Sequence, residues 1–584
     1  MGEIFVLFDD ARDGGATGRL YRDPVGEVVA WRLDEVRPAL AELRKAVRGG
    51  RHAAGYLAYE AGQALDAALI EGARVGEGPL LWFGLFAGYV TAGPEPLADP
   101  AGAFVGRIHP RIERDSYLAA ANAVRDGLFA GDFYQANLTF GCDVAVGGAP
   151  LALHARLKAG SRAGWGGVVR HPSGALVSLS PEQFFTLRSE QLNARPMKGT
   201  APRSADPAED LALAEKLAAD PKQRAENLMI VDLLRNDLAR VAETGSVAVP
   251  RLFAVESYPT VHQMISEVTA TLRTGLDAID VIETIFPCGS VTGAPKVAAI
   301  QALRRLEPEP RGAYTGSMGW IEPPTAEGPG DAAFNVLIRT LELRDDRPGS
   351  ARLGLGSGLV VDSEMPQEWA ECLLKGEFLA AARPQFDLIE TMRFDAEQGI
   401  VELARHLDRL GRSATRFGFK FDRHGARNEL QAATFRRKER AMVRLLLSPT
   451  GAMAIQVKRM ERAAEGPVLV TLAPMPVAAD DIRRMYKTSD RRFYDDARHG
   501  NDTFETIFHD PDGHLTEGSF TNIFVERDGR LLTPPVSRGL IPGILRAKLI
   551  DEGRAVEGEL VAEDLAGGFF VGNILRGLMP ARLA

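Results

Sequence analysis

Apolar and polar positions along the chain fall into blocks that predict a mixture of strands and helices. Short apolar runs bounded by glycine, at 174–180 (GALVSLS) and 351–361 (ARLGLGSGLVV), predict buried strands. In residues 226–241 (ENLMIVDLLRNDLARV) the apolar positions recur at helical spacing, which predicts an amphipathic helix with a charged outer face. Residues 368–382 (EWAECLLKGEFLAAA) predict a second helix. The pattern indicates an α/β or α+β fold.

A domain boundary follows the second helix. Pro384 disfavours helix at the residue before it, and after it the pattern restarts with a predicted strand at 386–394 and a predicted helix at 403–419. No repeat occurs at the periods of solenoids or propellers. A chain of 584 residues also exceeds what one hydrophobic core usually serves. We therefore expect two domains, residues 1–380 and 386–584.

Composition and charge narrow the possible functions. The chain is 45% hydrophobic and 25% charged with a net charge of −9, which is typical of a soluble protein and argues against nucleic acid as a partner. We interpret the basic run at 435–440 (FRRKER) as a solvated helix face. Cys142, Cys288 and Cys372 are few and far apart, as expected in a reducing cytoplasm. The chain shows neither an export signal nor a membrane-spanning run, so we expect a cytoplasmic protein without membrane association.

Lys198 is the first candidate for chemistry. It lies in a stiff segment, 195–203 (RPMKGTAPR), and the residues between it and Glu182 predict a hairpin that brings the two side chains close together. An amine beside a carboxylate can act as a nucleophile with a proton shuttle. A cross-strand ion pair explains the spacing equally well, and most single lysines are simply solvated.

The motifs around Lys198 resemble those of the chorismate-utilising enzymes, which include anthranilate, isochorismate, salicylate and aminodeoxychorismate synthases. The resemblance runs from about residue 50 to 378 and rests on the order and spacing of SPEQFF, RPMKGTAPR, AENLMIVDLLRNDLARV, FPCGSVTGAPK, RGAYTGSMGW, FNVLIRT and GSGLVVDSEMPQEWAE. Anthranilate synthases resemble PIAGT where this chain has PMKGT. The lysine therefore favours the branch that aminates chorismate at C4.

The resemblance implies a role for each matching residue. Lys198 would add at C2 of chorismate while Glu182 donates a proton to the departing C4 hydroxyl, and ammonia would then add at C4. Such an attack needs a neutral amine, which desolvation or nearby positive charge can provide. The other implied residues are magnesium ligands, Glu226 and Glu371 with Glu368 in support, and substrate contacts, Tyr314, Arg339, Gly358 and Thr292. Without the resemblance these glutamates would be taken for solvated helix carboxylates, and Arg339 for a salt bridge at a strand end.

Two differences from the wider family concern the ammonia step. Anthranilate synthases have a histidine where this chain has Gln263, with His262 beside it, so we assign that role to neither. The chain has no amidotransferase motif with a cysteine nucleophile. Ammonia is expected from solution or from a separate glutamine amidotransferase subunit.

A second group of candidates lies in the C-terminal part. Lys487 precedes Glu517 on a predicted strand, and a Gly-Pro-rich turn at 539–546 (GLIPGILR) opens a helix whose free N–H groups suit a phosphate. A carboxylate such as Glu517 can keep a pyridine nitrogen protonated, which makes the ring an electron sink.

These stretches, with HLDRL at 406–410, resemble the class IV aminotransferase family of pyridoxal-phosphate enzymes over residues 386–584. The resemblance implies Lys487 as the Schiff-base lysine, Glu517 as the pyridine-nitrogen partner and Arg409 as a phosphate ligand. The backbone amides of Ile544 and Leu545 would complete the phosphate site. Relatives often have threonine where this chain has Leu545, which leaves the amide but removes a hydroxyl. The domain also allows an oligomer.

Together the two resemblances imply a bifunctional enzyme that makes 4-aminobenzoate for folate: magnesium-dependent amination of chorismate, then pyridoxal-phosphate-dependent elimination of pyruvate. Two alternatives stay open. The N-terminal part could be an anthranilate or salicylate synthase joined to a different pyridoxal enzyme, or the C-terminal part could be an inactive interaction module.

Overall fold

The computed structural model describes residues 3–12, 15–93, 95–161, 163–258, 261–326, 328–460, 466–500 and 502–584. They form two compact units. The first comprises Met1–Ala98, Ile108–Val144 and Leu153–Ala381, and the second comprises Asp99–Arg107, Ala145–Ala152 and Ala382–Ala584. Two short segments from the N-terminal part of the sequence therefore belong to the second unit. No helix of the described residues is both long and apolar enough to span a membrane.

The elements up to residue 381 alternate between strands and helices. The strands are β1 Phe5–Asp9, β2 Gly18–Arg22, β3 Gly26–Ala30, β4 His52–Leu57, β5 Leu81–Phe86, β6 Val90–Ala92, β7 Phe104–Pro110, β8 Gln135–Gly147, β9 Trp165–His171, β10 Gly174–Ser180, β11 Gln183–Arg188, β12 Gln191–Arg195, β13 Met197–Pro202, β14 Ala248–Ser257, β15 Val261–Thr271, β16 Gly293–Ala294, β17 Ser317–Ile321, β18 Ala332–Asn335, β19 Thr340–Arg344 and β20 Ser350–Leu359. The helices are α1 Leu33–Arg48, α2 Ala67–Ile70, α3 Arg114–Ala130, α4 Pro150–Ser161, α5 Pro207–Ala219, α6 Pro221–Ala239, α7 Ala278–Ile285, α8 Lys296–Leu306 and α9 Met365–Lys375.

The elements after residue 381 form the rest of the second unit. The strands are β21 Leu388–Asp395, β22 Gly399–Ile400, β23 Ala441–Leu447, β24 Met453–Arg459, β25 Val468–Pro474, β26 Glu505–His509, β27 Leu515–Gly518, β28 Asn522–Arg527, β29 Arg530–Thr533, β30 Ala555–Glu557, β31 Phe569–Asn573 and β32 Gly577–Leu583. The helices are α10 Leu403–Phe417, α11 Arg423–Thr434, α12 Ile482–Met485, α13 Arg492–His499 and α14 Ile544–Asp551.

Two long sheets organise the first unit. One has the order β16-β8-β20-β19-β10-β9-β1-β2-β6 and the other β13-β15-β12-β11-β18-β17-β4-β5-β3. Side chains from both sheets share one buried cluster, for example Val6 and Val169 from the first with Trp82 and Met318 from the second. The second sheet also packs against helices through a larger cluster that includes Ile230 of α6. Burial on both faces explains why several strands read as continuous apolar runs.

The second unit combines a small antiparallel sheet, β22-β21-β23-β24, with a larger mixed sheet, β27-β26-β25-β32-β31-β28-β29-β30. In the mixed sheet β25 runs parallel to both β26 and β32. Helices α10 and α11 pack against one apolar face of the small sheet, which includes Leu388, Met392 and Val443. Helices therefore cover one face of the small sheet.

The elements predicted from hydrophobic periodicity are present: the two strands and α6 lie where the pattern placed them, and the helix predicted at 368–382 continues after α9 as a short 3-10 helix, Glu377–Ala382. The interpretation of 435–440 was wrong. Helix α11 ends at Thr434 and the basic run forms an exposed turn before β23. Four cations within a little more than one helical turn would repel each other at helical spacing.

Candidate active sites

The first candidate site lies around Lys198, on β13. The hairpin of β11 and β12 pairs Gln183 with Arg195, so Glu182, just before β11, and Lys198, just after β12, lie at the same end of the hairpin. Two neighbours fix the backbone here: Asn227 Nδ2 donates to the carbonyl of Lys198 at 3.4 Å, and Gln263 Nε2 donates to the carbonyl of Gly199 at 2.8 Å. Gln263 thus supports the strand that carries Lys198.

Glu182 has the environment of a proton donor. Its carboxyl group is 6% exposed, and burial raises its pKa to about 7, against the opposing effects of a hydrogen bond from Ser290 and the ammonium groups of Lys198 and Lys375. Ser290 Oγ donates to Glu182 Oε1 at 2.6 Å. A carboxyl group with a pKa near 7 is partly protonated at neutral pH, as general acid catalysis requires.

Two of the predicted magnesium ligands each face a lysine. Glu226 Oε2 lies 3.8 Å from Lys198 Nζ, and Glu371 Oε1 lies 2.7 Å from Lys375 Nζ. Burial raises the pKa of Glu371, but the ammonium groups of Lys375 and Lys198 outweigh it and hold the pKa below its ordinary value. A nucleophilic Lys198 was expected to be desolvated or close to positive charge, whereas its side chain is 25% exposed and its ion-pair partner is the carboxylate of Glu226.

The three predicted metal ligands do not form one cluster. Within the described ranges no three His, Cys, Asp or Glu side chains lie close enough together to hold a metal, so Glu368 does not complete a site with Glu226 and Glu371. Magnesium, however, commonly takes only one or two carboxylates from a protein and keeps waters or substrate oxygens as its other ligands. Glu226 and Glu371, both close enough to Lys198 to interact with its charge, fit that smaller requirement.

Arg339 is a partly buried cation that has no counter-charge among the described residues. Burial alone lowers its pKa, and no described residue gives its guanidinium a hydrogen bond or an ion pair. Its backbone has φ 51°, a left-handed conformation that is strained for arginine, and its carbonyl accepts from the amide of Leu179 at 3.0 Å. A strained backbone that holds an unpaired, partly buried guanidinium suits an anionic ligand.

The other predicted substrate contacts, Gly358, Tyr314 and Thr292, differ in their surroundings. Gly358 lies beside Lys198, because a Cβ at this glycine would come within 3.0 Å of Lys198 Nζ and of Gln135 Nε2. The ring of Tyr314 packs against Gly354, where a Cβ would meet it at 2.0 Å, and burial raises the pKa of its hydroxyl group. Thr292 is fully buried and its hydroxyl donates to backbone carbonyls of Cys288 and Gly289.

Sequence reasoning missed Gln135, Ser290 and Lys375. Gln135 is fully buried, and neither its Nε2 nor its Oε1 has a hydrogen-bond partner among the described residues. Lys375 Nζ donates to the carbonyl of Gly356 at 2.9 Å as well as binding Glu371. Helical spacing between Glu371 and Lys375 was a usable signal, whereas nothing in the local sequence marks Gln135 as unpaired.

The second candidate site is built around Lys487. Its backbone carbonyl accepts from the amide of Ile389 at 2.9 Å, which ties it to β21. Burial lowers the pKa of Lys487 to about 7, and the positive charge of Arg409 contributes further. A substantial share of this amine is therefore neutral near pH 7, and a lysine that attacks a carbonyl must be neutral.

Arg409 is oriented by a buried carboxylate. Glu390 accepts from Arg409 Nε at 2.8 Å and Nη2 at 2.6 Å, and it also binds His406 Nδ1 at 2.6 Å. Burial raises the pKa of Glu390, but Arg409 and His406 outweigh it and hold the pKa at about 2. His406 Nε2 is buried and has no partner in the described part of the chain.

The start of α14 lies next to Arg409. Arg409 Nη1 donates to the carbonyl of Pro542 at 3.1 Å, one residue before Gly543, the N-cap of the helix. The first-turn amides of Ile544 and Leu545 have no partner within the helix. The side chain of Leu545 packs in an apolar cluster with Ile544 and Ile574. A guanidinium beside free helix amides is a suitable phosphate site.

Glu517 on β27 is the remaining predicted residue. It is 3% exposed, it accepts hydrogen bonds from the hydroxyl of Tyr494 and from the amide of Ile541 at 3.1 Å, and burial raises its pKa to about 8. Tyr494 was not foreseen from the sequence. A buried amine, a buried acid and a phosphate-binding helix start together fit pyridoxal phosphate.

Comparison with known proteins gives two family matches. The chorismate binding enzyme family matches residues 4–381, and the class IV aminotransferase family matches residues 387–584. Among curated relatives, aminodeoxychorismate synthase component 1 of Klebsiella aerogenes is 42% identical over 260 residues, which cover 44% of this chain and 56% of the relative. Aminodeoxychorismate synthase of Streptomyces griseus is 37% identical over 299 residues, which cover 51% of this chain and 39% of the relative. The chain thus spans about half the length of the curated relatives it matches.

A solved structure agrees with the fold of the first unit. Anthranilate synthase component I from Streptococcus pneumoniae superposes with a TM-score of 0.54 at 22% identity and covers 65% of this chain and 92% of its own. At that identity the likeness concerns the fold alone.

Proposed function

Because the chain belongs to the chorismate binding enzyme family and ends in a class IV aminotransferase-like domain, we propose that it makes 4-aminobenzoate from chorismate and ammonia in two steps. The first step yields 4-amino-4-deoxychorismate and water, and the second yields 4-aminobenzoate and pyruvate. The observation that carries the proposal is the amine of Lys198 beside Gly358 and within the electrostatic reach of buried Glu182.

In the first step Lys198 acts as a nucleophile. Its nitrogen forms a bond to C2 of chorismate, the ring double bond shifts, and the C4–O bond breaks as Glu182 gives its proton to the leaving hydroxyl. Ammonia then bonds to C4, the double bond shifts back, and the C2–N bond breaks to restore Lys198. Arg339, with no protein partner in the described residues, binds a substrate carboxylate.

Glu226 and Glu371 would hold the magnesium ion, because with Glu368 they do not form a cluster of three ligands among the described residues. When bound, the ion offsets the charge of the ring carboxylate of chorismate. Lys375 then remains beside Glu371, where its ammonium group gives a second positive charge.

In the second step the C-terminal residues bind and orient a pyridoxal-phosphate cofactor, which when bound supplies an electron sink. Arg409 and the amides of Ile544 and Leu545 bind its phosphate, and Glu517 holds a proton at the pyridine nitrogen. Lys487, whose pKa is lowered to about 7, takes in its neutral form the proton from C4 of the substrate. Loss of that proton and of the enolpyruvyl group leaves an aromatic ring and pyruvate.

Ammonia comes from a separate glutamine amidotransferase subunit in this proposal, since the Klebsiella relative is named component 1 of its synthase. We place the reaction in the cytoplasm, because Cys142, Cys288 and Cys372 are free and buried.

The test is product analysis with the full chain, given pyridoxal phosphate, chorismate, magnesium and an ammonium salt. Equal amounts of 4-aminobenzoate and pyruvate are expected, because one elimination makes both. Release of anthranilate or salicylate, or of 4-amino-4-deoxychorismate alone with the cofactor bound, would contradict the proposal.

A further inference from the structure

The strand that carries Lys198 contains a β-bulge. In the antiparallel pair of β13 and β15, Met197 lies opposite Ile265 and Thr200 lies opposite Gln263, with a shift of register between the two pairs. The chain therefore has one extra residue on β13 between Met197 and Thr200. A bulge bends its strand and changes the direction of the side chain that it carries.

Gly199 takes the place that Lys198 would have in a regular strand pair. Without the extra residue, Lys198 would lie opposite Met264, whose side chain is fully buried. A Cβ at Gly199 would come within 3.3 Å of Met264 Cβ, so the glycine lies against that side chain, and its φ of 96° suits glycine alone. Lys198 is left to extend its amine to Glu226 and Gly358.

Two side chains bind the backbone of the bulge. Gln263 Nε2 donates to the carbonyl of Gly199 at 2.8 Å, and Gln263 Oε1 accepts from Thr200 Oγ1 at 3.0 Å. Asn227 Nδ2 donates to the carbonyl of Lys198 at 3.4 Å. An extra residue takes backbone groups out of the ladder of strand hydrogen bonds, and these side chains bind two of its carbonyls instead. Both ends of the Gln263 amide therefore contact the bulge.

We propose that Gln263 is a positioning residue for Lys198, whose amine it holds in the direction of Gly358 and Glu226 by fixing the bulge. The inference rests on the proposed role of Lys198 as the nucleophile and deepens it. A bulge without this brace would let the lysine start from several backbone directions. A smaller fraction of the molecules would then hold the amine at C2 of chorismate, and a displacement of about 1 Å can cost about 10²-fold in rate.

The test measures synthase kcat and KM with the full chain, chorismate, magnesium and an ammonium salt. Gln263→Met keeps the length of the side chain and removes both hydrogen bonds, so kcat should fall by about 10- to 100-fold. KM for chorismate should stay within about twofold, because the amide binds the bulge and not the substrate. An unchanged kcat, or a rise in KM alone, would overturn the inference.

Two further variants sharpen this test. Gln191→Met is the matched control: Gln191 Nε2 on β12 donates to Thr271 Oγ1 on β15 at 3.1 Å, away from the bulge, and kcat should stay within about twofold of the parent. Gln263→Glu keeps the acceptor for Thr200 but loses the donor to Gly199, so kcat should fall as it does in Gln263→Met. Parental kcat in Gln263→Glu would also overturn the inference.

A measurement without turnover separates this inference from the proposed function. Acetic anhydride is added to the full chain without chorismate, and mass spectrometry follows acetylation of Lys198 relative to Lys548. In Gln263→Met and Gln263→Glu this ratio should rise at least about threefold, because an amine that leaves Glu226 is more accessible to the reagent. Equal ratios in the parent and both variants would contradict the positioning role. A parent that forms no adduct with chorismate would instead contradict the role of Lys198 as the nucleophile.

Discussion

The two candidate sites each depend on a lysine, and the chain prepares these lysines differently. Burial of the Lys487 amine lowers its pKa to about 7, and nearby arginine side chains contribute to this shift. Lys198 is partly exposed and its ion-pair partner is the carboxylate of Glu226. Burial and nearby cations thus favour a neutral amine at Lys487, whereas the attack proposed for Lys198 requires its partner Glu226 to be drawn away first. In the proposed mechanism this change comes with the binding of magnesium or substrate.

The acids of the two candidate sites, unlike the lysines, have similar environments. Glu182 and Glu517 are both buried, and burial raises their pKa values to about 7 and about 8. Each accepts a hydrogen bond from a hydroxyl group, from Ser290 and Tyr494. Both sites therefore keep a protonated acid near neutral pH, and they differ mainly in how the amine is held.

The largest effect is expected at Lys487. Lys487→Ala removes both the point of cofactor attachment and the base for the C4 proton, so the lyase rate should fall by at least about 10³-fold. The synthase rate should be unchanged, and 4-amino-4-deoxychorismate should accumulate. Lys548→Ala, which removes a partly buried ion pair with Glu402 in the same unit, is the control. A variant that still releases 4-aminobenzoate at the parental rate would exclude Lys487 as the base.

Lys198→Ala tests the role of the lysine in the first candidate site. Synthase turnover should fall by about 10³-fold because the nucleophile is lost, while lyase activity on supplied 4-amino-4-deoxychorismate is retained. Mass spectrometry of the parent, given chorismate and magnesium without ammonia, should find an adduct on the peptide that contains Lys198. Parental synthase turnover without Lys198 would reject the covalent route.

Two arginines, Arg339 and Arg311, can show whether a guanidinium group serves substrate binding or the stability of the fold. Arg339→Gln should raise KM for chorismate by about 10- to 100-fold yet leave the melting temperature equal or higher, because an unpaired, partly buried charge is removed. Arg311 is the contrast: it is more deeply buried than Arg339, and it pairs with Glu307 at 2.7 Å. Arg311→Gln should lower the unfolding free energy by about 3–5 kcal/mol. Equal destabilisation by both changes would mean that Arg339 has a structural partner.

The raised pKa of Glu517 predicts a pH-dependent stability. Between its ordinary pKa of 4.5 and its folded pKa of about 8, the folded domain holds a proton that the unfolded chain has released. The free energy of unfolding contributed by this group therefore falls as pH rises through that window. Glu517→Gln lacks this loss, so the melting temperature of the cofactor-free variant relative to the parent should increase from pH 5 to pH 8. A constant difference across that range would contradict the raised pKa.

The smallest effect concerns Ser290. Its hydrogen bond lowers the pKa of Glu182, so Ser290→Ala should raise that pKa further. If Glu182 acts as the acid, the alkaline limb of the synthase pH–rate profile should move upward by about one unit or less. Ser290→Thr keeps the hydroxyl and should restore the parental profile. An unshifted limb in the alanine variant would assign the acid to another group.

The sequence by itself determined which residue types stand at each site and which local elements carry them. Periodicity located α6 and the strands at 174–180 and 351–361, because helix and strand spacing depend on neighbouring residues alone. The helix start at Ile544 and the strand under Glu517 followed from local turn and strand signals in the same way.

Only the tertiary structure decided which side chains form ion pairs and hydrogen bonds with each other. The lysine partners of Glu226 and Glu371, the unpaired guanidinium of Arg339, and the unsatisfied amide of Gln135 depend on residues far apart in the chain. Burial and ion pairing set the free-energy cost of a charged side chain. Neither can be predicted from the few residues that flank it in the sequence. For the same reason the bulge at Lys198 and Gly199 could not be predicted until the register of β13 and β15 showed one extra residue on β13.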